Sequence, residues 1–481
     1  MPRRLSGVTL NAHSLVQQGL RMNNNKNTLS GVHQMDSASY AQENRAPAED
    51  RTALDEAVKR SFRHLLPLLF ACYVMAYIDR INFGFAAITM NSDLGVTLTQ
   101  FGLAGTLFYA AYFFFEIPSN LLLERFGARR WIARIMITWG LASMATCLAT
   151  GPWGLYIARV VLGIAEAGFV PGVLLYLTFW IPAAKRGRAN ALFMIAQPMA
   201  IMLGSPLSGT ILASMDGYLG MKGWQWMFII EAIPTIILGL MVLKYLPDGP
   251  HKARWLTPAQ SNALMAELAS EQVTGKVEKS RVSIKPLLNA PFVFTCFAYF
   301  SLVASLSTLG TWSPLIIKEI FSGYGVLNIG LAAAIPGLAA IIMMPLLSGS
   351  SDRRQERALH FALAAILSAF GWFATTQIGN PTLQLIGLIA ATAGGFSAMP
   401  ILWTIPPTML SRIARPMGIA VISSCGILGS VISPTANGML REATGSYVAT
   451  GWLGVFWMVT TAVLLVTAVK LQQSMKKSNA G

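Results

Sequence analysis

The sequence predicts an all-α membrane protein in which twelve transmembrane helices form two pseudo-symmetric six-helix bundles. Three observations predict this fold: the composition, the number of long apolar runs and a weak internal repeat. Of the 481 residues, 54% are hydrophobic and 12% are charged, and the mean hydropathy is +0.53. A soluble core does not need so much apolar surface, so the composition indicates a chain that crosses the membrane many times.

The apolar runs set the number of crossings. A transmembrane helix needs roughly 20 mostly apolar residues, and the chain contains twelve such runs. They lie at about 65–89, 101–123, 131–149, 154–180, 189–214, 224–245, 290–310, 325–348, 359–378, 382–405, 413–436 and 447–471. The polar segment of about 40 residues from Pro247 to Pro286 is the longest interruption, and it divides the runs six and six.

The two halves resemble each other at an offset of about 228 residues. This offset aligns LLLERFGARR (121–130) with SGSSDRRQER (348–357), and each is the short basic loop after the second run of its half. It also aligns GIAEAGF (163–169) with AATAGGF (390–396). Two six-helix halves related by weak symmetry are typical of secondary transporters, whose site lies between the halves near the bilayer midplane.

These features predict five regions. They are a disordered cytoplasmic tail at 1–60, a first six-helix bundle at 61–246, a cytoplasmic central loop at 247–286, a second bundle at 287–471 and a cytoplasmic tail at 472–481. The first region is polar and lacks the apolar core of a signal peptide.

The net charge of +15 reflects orientation in the membrane and not nucleic-acid binding. Alternate loops hold the clusters Arg125, Arg129 and Arg130, then Lys185, Arg186 and Arg188, then Arg353, Arg354 and Arg357, then Arg412 and Arg415. The opposite loops carry only Lys222, Lys318 and Arg441. This positive-inside bias predicts a multi-pass protein of the bacterial inner membrane with both termini in the cytoplasm.

The sequence offers no sign of a cofactor, a metal site or an enzyme. The four cysteines lie singly in four different runs, without the spacing of metal ligands. No nucleotide-binding loop and no nucleophile constellation is present either.

Six ionisable residues stand out within the apolar runs, and all six lie in the first half. They are Asp79, Arg80, Glu116, Arg159, Glu166 and Glu231. A charged side chain at the centre of a transmembrane helix costs about 2.5–3.5 kcal/mol on insertion scales, so each one needs a partner or a function.

Arg159 and Glu166 are seven residues apart, which places them about 10.5 Å apart along one helix face. At this separation a direct salt bridge between them is rare. Gly163 lies between them, where the missing side chain would admit a neighbouring helix, and we expect this to be the helix that carries Asp79. The aligned residues of the second half are the uncharged Ile386 and Ala393. We therefore expect residues of the first half to take up and release protons, and residues of the second half to supply uncharged contacts.

These positions predict roles for the six residues. We expect Asp79 and Glu166 to carry protons, with a silent buried ion pair as the alternative, and Arg159 to anchor a substrate carboxylate through its bidentate fork. Arg80 points about 100° away from Asp79 on the helix, so the two side chains do not share a face. We expect Arg80 to contact the substrate, to act as a gate or to form an ion pair. Glu116 and Glu231 lie beside prolines near helix ends, which favours structural roles.

Uncharged residues complete the predicted substrate site, although helix packing is the commoner explanation for any one of them. They are Tyr77, Gln197, Trp403, Ser423 and Ser424.

Residues 60–475 resemble the major facilitator superfamily and, within it, the anion:cation symporter family. The resemblance rests on YIDRINFGFAA, IPSNLLLERFGARRW, ARVVLGIAEAGFVPGVLLYLTFW, GWQWMFIIEAIP and SDRRQER. The last four of these, together with RANALFM and RWLTPAQ, are similar to the bacterial 4-hydroxyphenylacetate permeases. It implies that carboxylates matching Asp79 and Glu166 carry protons and that residues matching Tyr77, Arg159 and Gln197 surround the substrate. The chain departs from many relatives in ISSCGILGS (422–430), where they have an asparagine.

We therefore expect a monomeric proton-coupled symporter that imports a small organic carboxylate by alternating access, with the lipid bilayer, the anion and protons as its partners. The expected substrate is an aromatic acid such as 4-hydroxyphenylacetate, which would stack on Trp403 while its carboxylate competes with Glu166 for Arg159. Tartrate, phthalate or a sugar acid is the alternative substrate. A transporter-like sensor is a further alternative, but neither cytoplasmic segment has the size or pattern of a signalling domain.

Overall fold

A computed structural model describes residues 48–274, 289–411 and 414–478. The described chain is helical, without strands, and twelve of its segments are long and apolar enough to cross a membrane, which confirms the predicted fold class. The α-helices are α1 (Ala48–Asp93), α2 (Leu98–Phe126), α3 (Ala128–Ala145), α4 (Gly151–Glu166), α5 (Phe169–Thr178), α6 (Ala183–Ser214), α7 (Gly223–Tyr245), α8 (Pro258–Thr274), α9 (Ala290–Ile320), α10 (Val326–Arg354), α11 (Arg357–Gln377), α12 (Pro381–Trp403), α13 (Pro406–Met409), α14 (Arg415–Thr444) and α15 (Val448–Ser478).

The first helix is longer than the sequence predicted. It begins at Ala48, so residues 48–60 are helical, and their assignment to a disordered tail is corrected. Ala57 and Val58 are buried against Leu264 of α8, and this packing supplies the apolar contact that stabilises the extension. The last helix likewise continues to Ser478, beyond the predicted boundary at 471. The rest of the predicted tails, 1–47 and 479–481, lies outside the described residues.

The central segment contains a helix that the prediction of a loop at 247–286 omitted. Helix α8 begins with Thr257 and Gln260 as reciprocal caps, because each side chain bonds the backbone of the other residue. The side chain of Gln260 also donates to Glu56 of α1 at 2.7 Å, and Glu271 bonds Arg186 of α6 at 2.7 Å. The central segment is therefore attached to the first half. Residues 275–288 lie outside the described part of the chain.

Two of the segments that are long and apolar enough to cross a membrane are interrupted. The fourth run divides into α4 and α5 because Ala167 leaves the helical conformation and Gly168 has φ +85°, a region that glycine adopts without strain. The tenth divides into α12 and α13, where Pro406 and Pro407 follow the end of α12. The sequence signals were Gly168 and the proline pair, which a hydropathy window does not register.

Because an even number of segments crosses the membrane, both described ends of the chain lie on one side, together with the Arg-rich loops and α8. We call this side the basic end and the other side the opposite end. Arg412, one of the basic residues counted from the sequence, lies outside the described residues.

The two halves touch closely at the opposite end. A Cβ atom on Gly84 of α1 would lie 2.4 Å from the carbonyl oxygen of Thr311 in α9, and a Cβ atom on Gly438 of α14 would lie 2.4 Å from that of Leu98 in α2. Lys318 also donates to the backbone oxygen of Ile88 at 2.9 Å. Glycine thus permits backbone-to-backbone contact that closes the bundle at this end.

We expect Gly438→Leu to shift the protein away from this closed arrangement, because the added side chain would overlap the backbone of the other half. Overpacking of this kind costs about 1–3 kcal/mol. The measurement uses a protein whose four native cysteines are replaced by serine and which carries a reporter cysteine in place of Asn190, a residue that lines the cavity near the basic end. Maleimide labelling of this cysteine should slow several-fold in Gly438→Leu. Gly325→Leu is the matched control at the same end, since a Cβ atom there meets nothing within 4 Å. Equal labelling rates in both variants would contradict the prediction.

Candidate functional site

A cavity of about 760 Å³ lies between the two halves. Near the basic end, the cavity is lined by Gly187 and Asn190 from the start of α6 and by Asp352 from the end of α10. Near the contact that closes the bundle, it is lined by Ile81 and Thr311. The volume is within the range of small-molecule sites. The cavity is thus closed toward the opposite end and extends toward the basic end.

Arg80 is the one cation among the described residues that line the cavity. Its Nε and Nη2 donate to Oε1 of Glu166 at 3.0 and 2.5 Å. The guanidinium also lies 5.2 Å from the ring centre of Tyr77 and 5.4 Å from that of Tyr112, at cation–π distance. The ion pair and the aromatic faces hold the guanidinium at the cavity wall.

Glu166 is the last residue of α4, at the point where the fourth span breaks. Its side chain is 1% exposed, and its Oε2 has no hydrogen-bond partner among the described residues. The break brings α2 close, because a Cβ atom on Gly168 would lie 2.4 Å from the hydroxyl of Ser119. Discontinuous helices of this kind commonly form ligand and ion sites in transporters.

The helix that approaches α4 differs from the one expected. A Cβ atom on Gly163 would lie 2.4 Å from the carbonyl oxygen of Phe108, so α2 occupies the space, and the expectation of close approach by the helix that carries Asp79 is corrected. Gly163 was correctly identified as a contact position. The identity of the partner depends on tertiary packing that the residue pattern does not encode.

Asp79 is buried behind the cavity wall and is held by neutral donors. Asn82 donates to its Oδ1 at 3.0 Å, Ser143 donates to the same oxygen, and the indole of Trp139 donates to Oδ2. Asp79 is 5% exposed and is not among the residues that line the cavity. A carboxylate with three donors is well stabilised in its ionised form.

Arg159 does not occupy the position that the sequence suggested. It is 2% exposed and does not line the cavity, and its guanidinium lies between the rings of Phe83 and Phe108 at 4.0 and 4.5 Å. Its Nε and Nη1 have no hydrogen-bond partner among the described residues. Arg80, not Arg159, therefore bonds Glu166 and faces the cavity. Helical spacing placed Arg159 and Glu166 on one face but could not show which residue on α1 lies opposite them.

Tyr77, Gln197, Trp403 and Ser423 line the cavity as the sequence suggested, and Ser424 does not. Gln197 donates to the hydroxyl of Tyr73 at 2.9 Å, which fixes both side chains. Successive residues of an α-helix are rotated by about 100° from each other, and Ser424 falls on a side of α14 that does not line the cavity.

The second half contributes an aromatic wall. The rings of Trp403 and Tyr299 pack edge to face with their centres 4.9 Å apart. A Cβ atom on Gly426 would lie 2.2 Å from the ring of Tyr299, so glycine at this position allows the ring to lie against α14.

Sequence reasoning missed several residues of the site. Tyr73, Tyr109, Tyr112, Thr311 and Ser430 line the cavity. Tyr73 precedes Tyr77 by one helical turn, a spacing that could have identified it. Glu116, assigned a structural role from its place beside Pro118, also lines the cavity.

Comparisons with known proteins agree with this architecture. Residues 69–434 match the model of the Major Facilitator Superfamily. The chain is 42% identical over 411 residues to a protein of Agrobacterium vitis named a putative tartrate transporter, with 85% of this chain and 89% of that protein covered. It is 38% identical to the putative metabolite transport protein NicT of Pseudomonas putida, with 84% and 92% covered.

Among solved structures, the partially occluded inward-open xylose transporter XylE of E. coli matches with a TM-score of 0.67 at 14% identity, covering 84% of this chain and 97% of that chain. This likeness concerns the fold. The names of the two relatives do not support the more specific resemblance to 4-hydroxyphenylacetate permeases, whereas they agree with transport of an organic anion by a multi-pass protein of the bacterial inner membrane. The chain is a transporter and not an enzyme, and it belongs to the Major Facilitator Superfamily.

Proposed function

We propose that the chain is a proton-coupled symporter that imports a small aromatic monocarboxylate. The observation that carries the proposal is the pair of Arg80 and Glu166, because the one cation among the described lining residues is bound to a buried carboxylate. A substrate carboxylate that binds Arg80 must take the place of Glu166, since an unpaired carboxylate in a buried site is very unfavourable.

Proton coupling follows from this competition. Protonation of Glu166 neutralises it and weakens its bond to Arg80, so that Arg80 can bind a substrate anion. Loss of the proton restores the carboxylate, which displaces the substrate. Protons and the anion therefore enter together, and we assign the anchoring role to Arg80 in place of Arg159. Asp79 is the second proton carrier, buried one residue away from Arg80.

The direction of transport follows from the distribution of charge. The positive-inside rule places the basic end, and with it both termini, in the cytoplasm. The described cavity then extends toward the cytoplasm, and the glycine contacts close the periplasmic side. Both halves of the site belong to one chain, which supports function as a monomer.

The charges and rings of the cavity favour an aromatic monocarboxylate. Besides Arg80, the charged lining residues are Glu116 and Asp352, so a second substrate carboxylate would meet like charges. Tyr299 and Trp403 offer ring faces and edges to an aromatic body, and Ser423 offers a hydroxyl. The competing candidate is tartrate, which is favoured by the name of the relative from Agrobacterium vitis.

Glu166→Gln should abolish accumulation driven by a proton gradient, because glutamine cannot take up or release the coupling proton. Exchange of labelled for unlabelled substrate across proteoliposomes should persist, since it requires no net proton movement. Glu319→Gln is the matched control, because Glu319 also forms an ion pair with an arginine, Arg441, at 2.7 Å. This pair lies at the opposite end of the bundle and is partly exposed. Full concentrative uptake by Glu166→Gln at neutral pH would remove Glu166 from the coupling role.

Arg80→Lys should weaken substrate binding by about 10–150-fold, since a charged hydrogen bond is worth about 1.5–3 kcal/mol and lysine lacks the planar fork. Arg159→Lys should affect affinity much less, because Arg159 does not face the cavity. Titration calorimetry on the purified variants would measure both affinities, with thermal melting to establish that each is folded. A larger loss in Arg159→Lys than in Arg80→Lys would return the anchoring role to Arg159.

Phenylacetates should compete for uptake of labelled 4-hydroxyphenylacetate better than tartrate or galactonate does. Trp403→Ala should reduce the affinity for aromatic acids most, because it removes an aromatic wall of the cavity. Trp153→Ala is the control, since Trp153 is 77% exposed on the outer surface of α4. Uptake of tartrate without any competition from phenylacetates would favour the hydroxy acid and overturn the aromatic assignment.

A further inference from the structure

Ser307 carries a buried hydroxyl group in the cavity wall that the transport mechanism above does not use. It lies on α9 of the second half, is 7% exposed and lines the cavity. Its Oγ has no hydrogen-bond partner among the described residues. A buried hydroxyl group without a partner is unfavourable, because it has lost its hydrogen bonds to water and has gained none in exchange.

Neighbouring hydroxyl groups of α9 do have partners. Ser301 and Thr308 donate to backbone oxygens of their own helix at 2.9 and 3.0 Å, and Ser305 accepts a hydrogen bond from a tryptophan of α11 at 2.9 Å. Ser348 also lines the cavity with an unpartnered Oγ, but it lies near the end of α10 on the basic side. Ser307 therefore differs from its neighbours in α9, and its hydrogen bonds remain free for a ligand.

Ser307 and Arg80 lie at the same depth in the bundle. Helices α1 and α9 both run from the basic end to the opposite end. They meet where a Cβ atom on Gly84 would lie 2.4 Å from the carbonyl oxygen of Thr311. Arg80 and Ser307 each precede this contact by four residues, which is about 6 Å along a helix axis toward the basic end. The Cα atoms of the two residues are therefore at one level, one in each half.

The cavity has open space beside Ser307. Gly310, one turn further along α9, also lines the cavity, and a Cβ atom there would meet nothing within 4 Å. A ligand that is bound to Arg80 can thus lie against α9 at this level without displacing a side chain. Such a ligand would contact both halves next to the place where they close.

We propose that Ser307 binds a hydroxyl group of the substrate and selects hydroxylated carboxylates over analogues that lack this group. The carboxylate of the same substrate is held by Arg80, so the role of Ser307 rests on the proposed function. A serine hydroxyl group both donates and accepts, and it can pair with a substrate hydroxyl group in either direction. The analogue without the group is disfavoured because it leaves the buried hydroxyl group of Ser307 unpaired.

Ser307→Ala tests this role with two pairs of acids that differ in hydroxylation, 4-hydroxyphenylacetate with phenylacetate and tartrate with succinate. Titration calorimetry on the purified full-length protein should show a loss of affinity of about 2–10-fold for the hydroxylated acid that the wild type binds, the usual effect of one neutral hydrogen bond. The affinity for its unhydroxylated analogue should stay the same. Ser397→Ala is the matched control and should change neither affinity, because Ser397 is also buried with an unpartnered Oγ but does not line the cavity.

The ligand-free Ser307→Ala variant should melt at the same temperature as the wild type or higher, because the substitution removes an unpartnered polar group. An equal loss of affinity for both acids of a pair, or no loss for the hydroxylated acid, would overturn the role of Ser307. Binding of tartrate but not of the phenylacetates by the wild type would overturn the aromatic assignment alone, and the tartrate and succinate pair would then decide the role of Ser307. Absence of binding by all four acids would overturn both proposals.

Discussion

The ion pair between Arg80 and Glu166 is the interaction on which the rest of the site depends. Either charge alone would be very unfavourable within an apolar bundle, and each becomes acceptable because of the other. The pair also joins α1 to the break between α4 and α5, so it positions the cavity wall. A ligand that binds Arg80 must therefore compensate for the loss of a buried partner. An anion accompanied by a proton does so, because the proton neutralises the displaced carboxyl.

Two of the other charged residues of the first half, Asp79 and Arg159, lie behind this pair and do not line the cavity. Asp79 is bonded by neutral donors on α1 and α3, and Arg159 is enclosed by Phe83 and Phe108. Aromatic rings lower the local polarity without supplying a competing charge, which strengthens electrostatic interactions between buried groups. A change of charge at Glu166 thus acts on nearby groups, while the hydrogen bonds of Asp79 and the packing of Arg159 keep their geometry.

The sequence was sufficient to predict the fold because the hydropathy and length of the apolar runs determine the number of membrane crossings almost without tertiary information. It was less informative about the site. Helical periodicity correctly identified Arg159 and Glu166 as neighbours on one face, but only packing between helices could show that Arg80 of α1 lies opposite Glu166. The same limit explains Gly163, whose partner is α2, and Ser424, which faces away from the cavity. Residues 48–60 were missed because their helix is stabilised by contact with α8, more than 150 residues away in the chain.

The unequal division of charge between the halves has a mechanical consequence. The buried charges on α1, α4 and α7 all belong to the first half, and their bonds are made within that half. Among the described residues, the contacts between halves at the opposite end are instead glycine approaches and hydrogen bonds that form no ion pair, such as those of Lys318 to the backbone oxygen of Ile88 and of the Thr99 backbone N–H to Glu442. Rocking of one half against the other then breaks weak, replaceable contacts and leaves every buried ion pair intact. In the proposed mechanism, alternating access proceeds without exposing an unpaired charge to lipid, and the pair of Arg80 and Glu166 is the one buried ion pair among the described residues that has to exchange a partner.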